Sequence, residues 1–345
     1  MDFQLSDDQR ALKAGMCELL AGRFGRDRMR ADLDSGTGID RALWRELGEA
    51  GLFALRLPEA RGGVGLGLPE SVLLFEEVGR SLLPGPLIAT HLAAGAVKGA
   101  AEGRAVIAVL DAGQPVGHLG EADGLLVLGP WDAGEVGDTG DAREAGDAGL
   151  GAAAGFGAGE GRGPAGGMLR DVVRIREAAE PVRSLDPFTP LWRVTGPARP
   201  AERLPDGARP REEGALLAAA EQLGSAARTT EMAVQHAGAR EQFGSPIGSF
   251  QAVKHLCAGM LVRTELARSA VYAAAVTADR AEIAGAKLLA DDAAVRNARD
   301  CLQVHGGMGF TWEADVHLHL KRAWLRSGQW LAAATAEETL AADLC

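Results

Sequence analysis

Hydrophobic side chains recur with a helical period at both ends of this chain and form short continuous runs in its middle. Near the N-terminus, Leu12, Met16 and Leu19 follow a period of about 3.6 residues behind Ser6, a residue type that caps helices. Similar periods continue as far as the strand-like pattern that begins at residue 105. Residues 1–104 are therefore predicted to form an N-terminal α domain.

Between residues 105 and 208 the apolar positions fall into short runs bounded by turn residues, which is typical of buried strands. Residues 105–110 and 124–128 are two such runs, and the β-branched stretch 172–176 predicts a further strand. Gly, Ala, Asp and Glu dominate residues 133–167, and such a tract buries too little apolar area to offset its ordering entropy. We predict a small middle β domain that carries this tract as a mobile surface loop.

The helical period returns in residues 209–345, with interruptions around Pro246 and at Gly306 and Gly307. Long helices joined by such short corners are typical of a four-helix bundle. The predicted fold is therefore mainly α, with an N-terminal helical domain, a small β domain and a C-terminal four-helix bundle. The last helices have broad apolar faces, which predict an oligomer.

Charge and hydropathy exclude two classes of partner. The formal net charge of −11 over 345 residues argues against a nucleic-acid binder, because phosphate contacts need clustered Lys and Arg. No apolar run reaches the ~18–20 residues that a membrane span requires. The polar, acidic N-terminus is unlike a signal peptide. The sequence predicts no membrane partner and a cytoplasmic location.

The metal-ligating residue types lack the spacing of a metal site. Four cysteines are widely scattered without a C-x-x-C pair, which indicates neither zinc nor a disulfide framework. His305, His317 and His319 lie close together near the C-terminus. Because residues two apart on a helix point to different faces, they are predicted to be surface or cap histidines, with no metal site.

Two corners between helices carry the most specific pattern in the chain. The first reads Arg-Glu-Gln-Phe-Gly-Ser-Pro-Ile-Gly from Arg240 and presents a cation, an amide and an aromatic ring. The second reads Gln-Val-His-Gly-Gly-Met-Gly-Phe-Thr-Trp-Glu from Gln303. In order and spacing the two corners resemble the acyl-CoA dehydrogenase family, flavoenzymes in which such corners from two subunits hold FAD. Residues 51–59 and 76–80 resemble the same family.

The resemblance implies a role for each corner. Arg240 is expected to bind the FAD pyrophosphate, since a guanidinium suits a bidentate phosphate contact. Phe243 is expected to lie against the adenine, with Gln242 as a polar neighbour. The second corner is expected to meet the FAD of the neighbouring subunit through Gln303, Gly306 and Gly307. The alternative is that Arg240 belongs to a solvated helix end and Phe243 anchors the core.

The catalytic base of the family has no counterpart at its usual positions. The family removes an α-proton from an acyl thioester with a glutamate while the β-hydrogen leaves as hydride to the flavin. The matching residues here are Gly214 and Trp330. Glu213 would serve only if the helix start is shifted by one residue, which rotates a side chain by about 100°. Alternatively, Glu212 and Glu213 only stabilise a helix N-terminus.

The middle segment also lacks the family phrases that hold the flavin ring and the thioester. It resembles short family members, which pair with a longer, base-bearing subunit. The resemblance thus implies FAD-dependent α,β-dehydrogenation of an acyl thioester, on coenzyme A or a carrier protein, in a homo- or hetero-oligomer that passes electrons to an electron-transfer flavoprotein. Two alternatives are a non-catalytic scaffold subunit that stabilises or completes a partner's FAD site, and a changed flavin chemistry on another substrate.

Overall fold

The computed structural model describes residues 4–36, 38–111, 113–128, 167–169, 172–195, 202–203 and 208–343. Over these residues the chain is mainly helical with three small sheets. The loop predicted for residues 133–167 lies outside the described residues except for Gly167, and the domain boundaries given above remain predictions. The predicted fold class is confirmed.

Five α-helices make up most of the described N-terminal region. Ser6 caps the first helix as predicted, because its hydroxyl accepts a hydrogen bond from the Gln9 backbone N–H, and Oε1 of Gln9 accepts one from the Ser6 backbone N–H. Trp44, Phe53 and Phe75 fill the core beneath these helices. The helices are α1 (Asp7–Arg23), α2 (Arg26–Ser35), α3 (Arg41–Glu49), α4 (Leu68–Ser81) and α5 (Leu87–Ala93).

Where the structure describes it, the middle region contains two small sheets. Parallel β1 and β3 and antiparallel β4 and β7 form one sheet in the order β1-β3-β4-β7, and the other has the order β2-β6-β5. The buried strands predicted at 105–110 and 124–128 are confirmed as β1 and β3. The strands are β1 (Ile107–Asp111), β2 (Val116–Gly117), β3 (Gly124–Leu128), β4 (Gly167–Leu169), β5 (Ala179–Val182), β6 (Leu191–Val194) and β7 (Glu202–Arg203).

The strand predicted at residues 172–176 is wrong, because this stretch forms the short helix α6 (Val173–Glu177). Its β-branched residues suggested a strand. The buried residues are Val172 and Ile175, three apart, whereas Val173 is exposed. That spacing places the two buried side chains on one face of a helical turn, so burial overrode the local propensity.

The predicted C-terminal bundle consists of α7 to α10. The helix α7 packs against α9, α8 and α10, and also against α4 of the N-terminal region. An eleventh helix, which the apolar period did not predict, packs against α9. The C-terminal elements are α7 (Pro210–Ala239), β8 (Glu241–Gln242), β9 (Ser245–Pro246), α8 (Gln251–Thr277), α9 (Arg280–His305), α10 (Val316–Ser327) and α11 (Ala333–Asp343).

A buried carboxylate joins the N-terminal helices to the bundle. Glu76 on α4 accepts hydrogen bonds from Lys13 Nζ on α1 at 2.6 Å and from the Tyr272 hydroxyl on α8 at 2.6 Å, and it pairs with Arg268. Burial alone raises the pKa of the Glu76 carboxyl, but the charges of Lys13 and Arg268 outweigh it, so its pKa lies below the usual value. The ionised form is therefore stabilised by folding.

We expect Glu76→Gln to lower the free energy of unfolding by about 3 kcal/mol at pH 7, because Lys13 and Arg268 lose their shared counter-charge. The lost stability is present above the unfolded pKa of about 4.3 and disappears as the pH falls below it, so the two proteins should converge in acid. Denaturant unfolding at several pH values measures this difference.

The neighbouring Glu77 provides the matched control. Burial raises the pKa of Glu77, so folding disfavours its ionised form and Glu77→Gln should cost little at pH 7. Equal losses in the Glu76→Gln and Glu77→Gln variants would contradict this account of the α1–α4–α8 contact.

Candidate functional site

The first corner is a β-hairpin that displays an aromatic ring. Antiparallel β8 and β9 pair Gln242 with Ser245, which leaves Phe243 and Gly244 as a two-residue turn. Both turn residues have positive φ, 54° for Phe243 and 79° for Gly244. Hairpin turns of this kind favour Asn-Gly, and a bulky residue with positive φ is strained. Phe243 is nevertheless 94% exposed, so it anchors no core in this chain.

Arg240 ends α7 beside this hairpin. Its backbone carbonyl accepts a hydrogen bond from Ile247, which fixes the start of the corner. The side chain is exposed, and it makes no hydrogen bond or ion pair with any of the described residues. Within the described part of the chain, the Gln242 side chain donates a single hydrogen bond, to the neighbouring carbonyl of Glu241 at 2.8 Å. The guanidinium is therefore available to a ligand.

The second corner lies beside the first at the same end of the bundle. The rings of His236, near the end of α7, and His305, at the end of α9, stack with centroids 4.1 Å apart. Gln303, Gly306 and Gly307 are exposed just beyond this contact, and Gly306 has a φ of 61°. The His236–His305 contact thus places the two corners at the same end of the bundle.

A cleft of about 130 Å³ lies between the middle region, α5 and the bundle. The Glu221 side chain reaches it from α7, and 19 residues separate Glu221 from Arg240, about 29 Å along the helix. The cleft and the corners therefore lie at different ends of α7. Apolar side chains make up much of the lining of the cleft, including Leu87, Ile88, Val109, Leu128, Leu191, Leu325 and Trp330.

The two usual base positions of the family meet in this structure. A Cβ built on Gly214 would lie 2.0 Å from Cε3 of the Trp330 ring. The indole is 6% exposed and fills the space that a side chain at 214 would need. Trp330 itself has a φ of 65°. Neither position offers a carboxylate, and Trp330 occupies the space of a side chain at position 214.

Glu213, the remaining candidate base, points away from this cleft. Its two carboxylate oxygens accept hydrogen bonds from the Arg56 guanidinium at 2.7 and 3.2 Å. It is not among the residues that line the cleft. Arg56 therefore neutralises it on the α7 surface that faces the N-terminal region.

Sequence reasoning missed the charged residues of the cleft. Glu221 on α7 pairs with Arg326 on α10 at 2.8 Å, and Arg322, one turn earlier on α10, pairs with Asp186. Burial raises the pKa of Glu221, and it lowers the pKa of Arg326 to about 10 in spite of the ion pair. Two spacings in the sequence hint at these residues. Arg322 and Arg326 are four residues apart, and Gly214 and Glu221 are seven apart, so the members of each pair lie on one helix face.

One histidine prediction is wrong. His319 is buried against α7, where its Nδ1 lies 2.8 Å from the Ser225 hydroxyl, and burial lowers its pKa to about 3. The residue faces the bundle because α10 packs on α7. Across the described part of the chain, no group of three or more His, Cys, Asp or Glu is placed to hold a metal ion.

The corners and the cleft differ in how they fit FAD. The exposed guanidinium of Arg240 and the exposed ring of Phe243 fit a diphosphate and an adenine. The cleft does not fit a flavin ring: a cavity of ~150 Å³ takes one benzene molecule, and the flavin has three fused rings. Trp330 occupies part of the space as well. The fit is therefore restricted to the adenosine diphosphate half.

Among the described residues, no helix has the length and apolarity needed to cross a membrane.

Known proteins match most of the chain. The family profiles for the acyl-CoA dehydrogenase N-terminal and C-terminal domains match residues 6–102 and 212–327. The acyl-CoA dehydrogenase IpdE2 of Mycobacterium tuberculosis is 36% identical over 324 residues, which cover 92% of this chain and 91% of that protein.

Solved structures share the whole fold. Butyryl-CoA dehydrogenase of Megasphaera elsdenii superposes with a TM-score of 0.78 at 18% identity, covering 100% of both chains. A chain of the ChsE4-ChsE5 complex of Mycobacterium tuberculosis superposes with a TM-score of 0.76 at 22% identity, covering 100% of this chain and 99% of that one. From the domain profiles and the close relative together, the chain belongs to the acyl-CoA dehydrogenase family.

Proposed function

We propose that this chain is one subunit of an FAD-dependent acyl-CoA dehydrogenase, and that a longer homologous subunit supplies the catalytic base. The bound flavin would accept the β-hydride of an acyl thioester. This chain would hold the adenosine diphosphate half of one flavin at its first corner, and its second corner would meet the flavin of the neighbouring subunit. The substrate is an acyl group on coenzyme A or on a carrier protein, and an electron-transfer flavoprotein is the expected electron acceptor.

One observation carries the proposal: the corner presents an Arg240 that no described residue pairs with, beside a solvent-exposed Phe243. An aromatic residue held at positive φ destabilises the fold by about 1–3 kcal/mol, which the surrounding structure must offset. Such strained residues concentrate at ligand sites. A ligand with a diphosphate and a flat ring would use both side chains. FAD has both groups.

The need for a partner follows from the region around Gly214, near the other end of α7. The two usual base positions hold Gly214 and Trp330, so neither has a carboxylate. Trp330 also packs on Gly214. Burial raises the pKa of Glu221, but Arg326 holds that carboxylate in an ion pair. A partner that carries the missing glutamate supplies what this chain lacks. A protein with the same fold occurs in a mixed assembly, the ChsE4-ChsE5 complex of Mycobacterium tuberculosis.

Co-expression with a longer acyl-CoA dehydrogenase from the same gene neighbourhood tests the proposal. We expect a yellow complex whose flavin absorption bleaches when the acyl thioester substrate is added, and a colourless protein when this chain is purified alone. If the complex still forms and keeps its full flavin content when the Arg240 corner of this chain is mutated, the scaffold role would be favoured instead. A flavin-free protein in every combination would reject the proposal.

In such a complex we expect Glu213→Gln to leave turnover per bound flavin within about threefold of the wild type. Removing a general base costs about 10²–10⁴-fold in rate, whereas this carboxylate only pairs with Arg56. Steady-state reduction of an artificial electron acceptor measures the effect. A loss of a hundredfold or more, with flavin content unchanged, would identify Glu213 as the base and remove the need for a partner's glutamate.

A further inference from the structure

Two stacked histidines form the contact between the corners. The rings of His236 on α7 and His305 on α9 lie at an angle of 19° with centroids 4.1 Å apart. Nδ1 of His305 donates a hydrogen bond to the Cys301 carbonyl oxygen at 2.8 Å. The Cys301 thiol, 3.6 Å from the same nitrogen, is uncharged because burial raises its pKa to about 12. Among the described residues, neither nitrogen of His236 nor Nε2 of His305 has a hydrogen-bond partner, and all three keep contact with solvent, so the pair can take up a proton.

Arg240 follows His236 by one helical turn. The Arg240 backbone N–H donates a hydrogen bond to the His236 carbonyl oxygen at 2.8 Å, and residues four apart lie on the same helix face. The guanidinium is close enough to act on the ring. Burial lowers the pKa of His236, and the charges of His305 and Arg240 lower it further. His236 is therefore uncharged near neutral pH in the flavin-free chain.

No carboxylate acts on the His236 ring within the described part of the chain. The charges that do act on it are those of His305 on α9 and Arg240 on α7, and both are positive. The segments 245–249 and 306–310, which pack against α7 and α9, contain no titratable side chain. An anion bound at Arg240 would therefore bring the first negative charge close to this ring.

We propose, on the basis of the function proposed above, that His236 binds a proton when the flavin diphosphate occupies Arg240, and that this proton strengthens flavin binding. The diphosphate places two negative charges about one helical turn from His236, and they favour its protonated form. One proton serves both rings, because a second would put two like charges 4.1 Å apart. The charged imidazole is then a second, pH-dependent cation at the corner, beside the permanent charge of Arg240.

Flavin affinity should therefore depend on pH. A ligand whose binding takes up a proton binds more tightly as the pH falls through the pKa of the ligand-bound group, and the gain levels off below the pKa of the free group. FAD itself has no group that titrates near neutral pH, so the protein must supply the proton-binding group. We expect the flavin-depleted complex to bind FAD about fivefold or more tightly at about pH 5.5 than at about pH 8.

Calorimetric titration of the flavin-depleted complex with FAD tests this linkage. Repeating the titration in two buffers of different ionisation enthalpy counts the protons taken up, and we expect a net uptake of up to about one proton per FAD. His236→Phe keeps a flat ring against His305 but cannot be protonated. Its FAD affinity should stay within about twofold of the wild type at about pH 8, while the pH dependence and the proton uptake disappear. His236→Gln repeats the test if the first variant folds poorly.

The matched control is His255→Phe, since His255 is an exposed histidine on the first turns of α8, where it contacts Gln251. This variant should keep the pH dependence of the wild type. Equal FAD affinity at both pH values in the wild type, an unchanged pH dependence in a folded His236 variant, or its loss in His255→Phe would overturn the inference and leave the proposed function standing. A wild-type complex that binds no FAD at any pH would reject both.

Discussion

Gly214→Glu, which restores a carboxylate at one usual base position, is expected to destabilise the chain by about 3 kcal/mol or more and to produce no activity in the chain alone. The reason is steric, since the first carbon of any side chain at 214 would lie 2.0 Å from the Trp330 ring. Either the indole or α7 must move, and both are buried. Denaturant unfolding followed by circular dichroism measures the loss.

A control on the same helix separates this clash from the general effect of the substitution. A Cβ built on Gly238, near the end of α7, meets nothing within 4 Å, so Gly238→Glu should be neutral or stabilise by up to about 1 kcal/mol. A double-mutant cycle of Gly214→Ala and Trp330→Ala, measured on the free energy of unfolding, should show a coupling energy of about 1 kcal/mol or more. Additive losses would show that the two side chains do not share the space.

Much of the architecture was predictable because it follows from regular periods. The capping Ser6, the continuous apolar runs of β1 and β3, and the long amphipathic helices of the bundle need only local rules. Where burial and propensity disagreed, as in α6, the local rule failed. The helix α11 was missed because a single buried residue, Ala336, faces the bundle from it.

The corners could be recognised in the sequence, and the charged residues of the cleft could not. The corner residues are close along the chain, so Arg240 and Phe243 could be recognised together. The cleft joins Leu191, Glu221 and Arg326, which are far apart along the chain and meet only after the middle region packs on the bundle. The contact of Gly214 with Trp330 is likewise a tertiary one. A single sequence gives the identity of such residues but not their proximity.

Arg240→Ala is expected to weaken flavin binding by the assembled enzyme roughly a hundredfold. A charge-assisted contact to a diphosphate contributes about 1.5–3 kcal/mol, and every 1.4 kcal/mol is a factor of ten in affinity. Because the Arg240 guanidinium makes no ion pair with the described residues, its removal should leave the stability of the chain almost unchanged. Arg240→Lys should lose less flavin than alanine, since it keeps the charge but not the bidentate geometry.

The ratio of flavin to protein in the purified complex, measured by absorption for wild type, Arg240→Ala and Arg280→Ala, tests the central claim most directly. Arg280 is an exposed arginine at the start of α9, about 39 Å along that helix from the second corner, and its nearest carboxylate is 4.0 Å away. We predict that Arg240→Ala purifies as an intact complex largely without flavin, while Arg280→Ala keeps its full content. Full flavin content in Arg240→Ala would contradict the account.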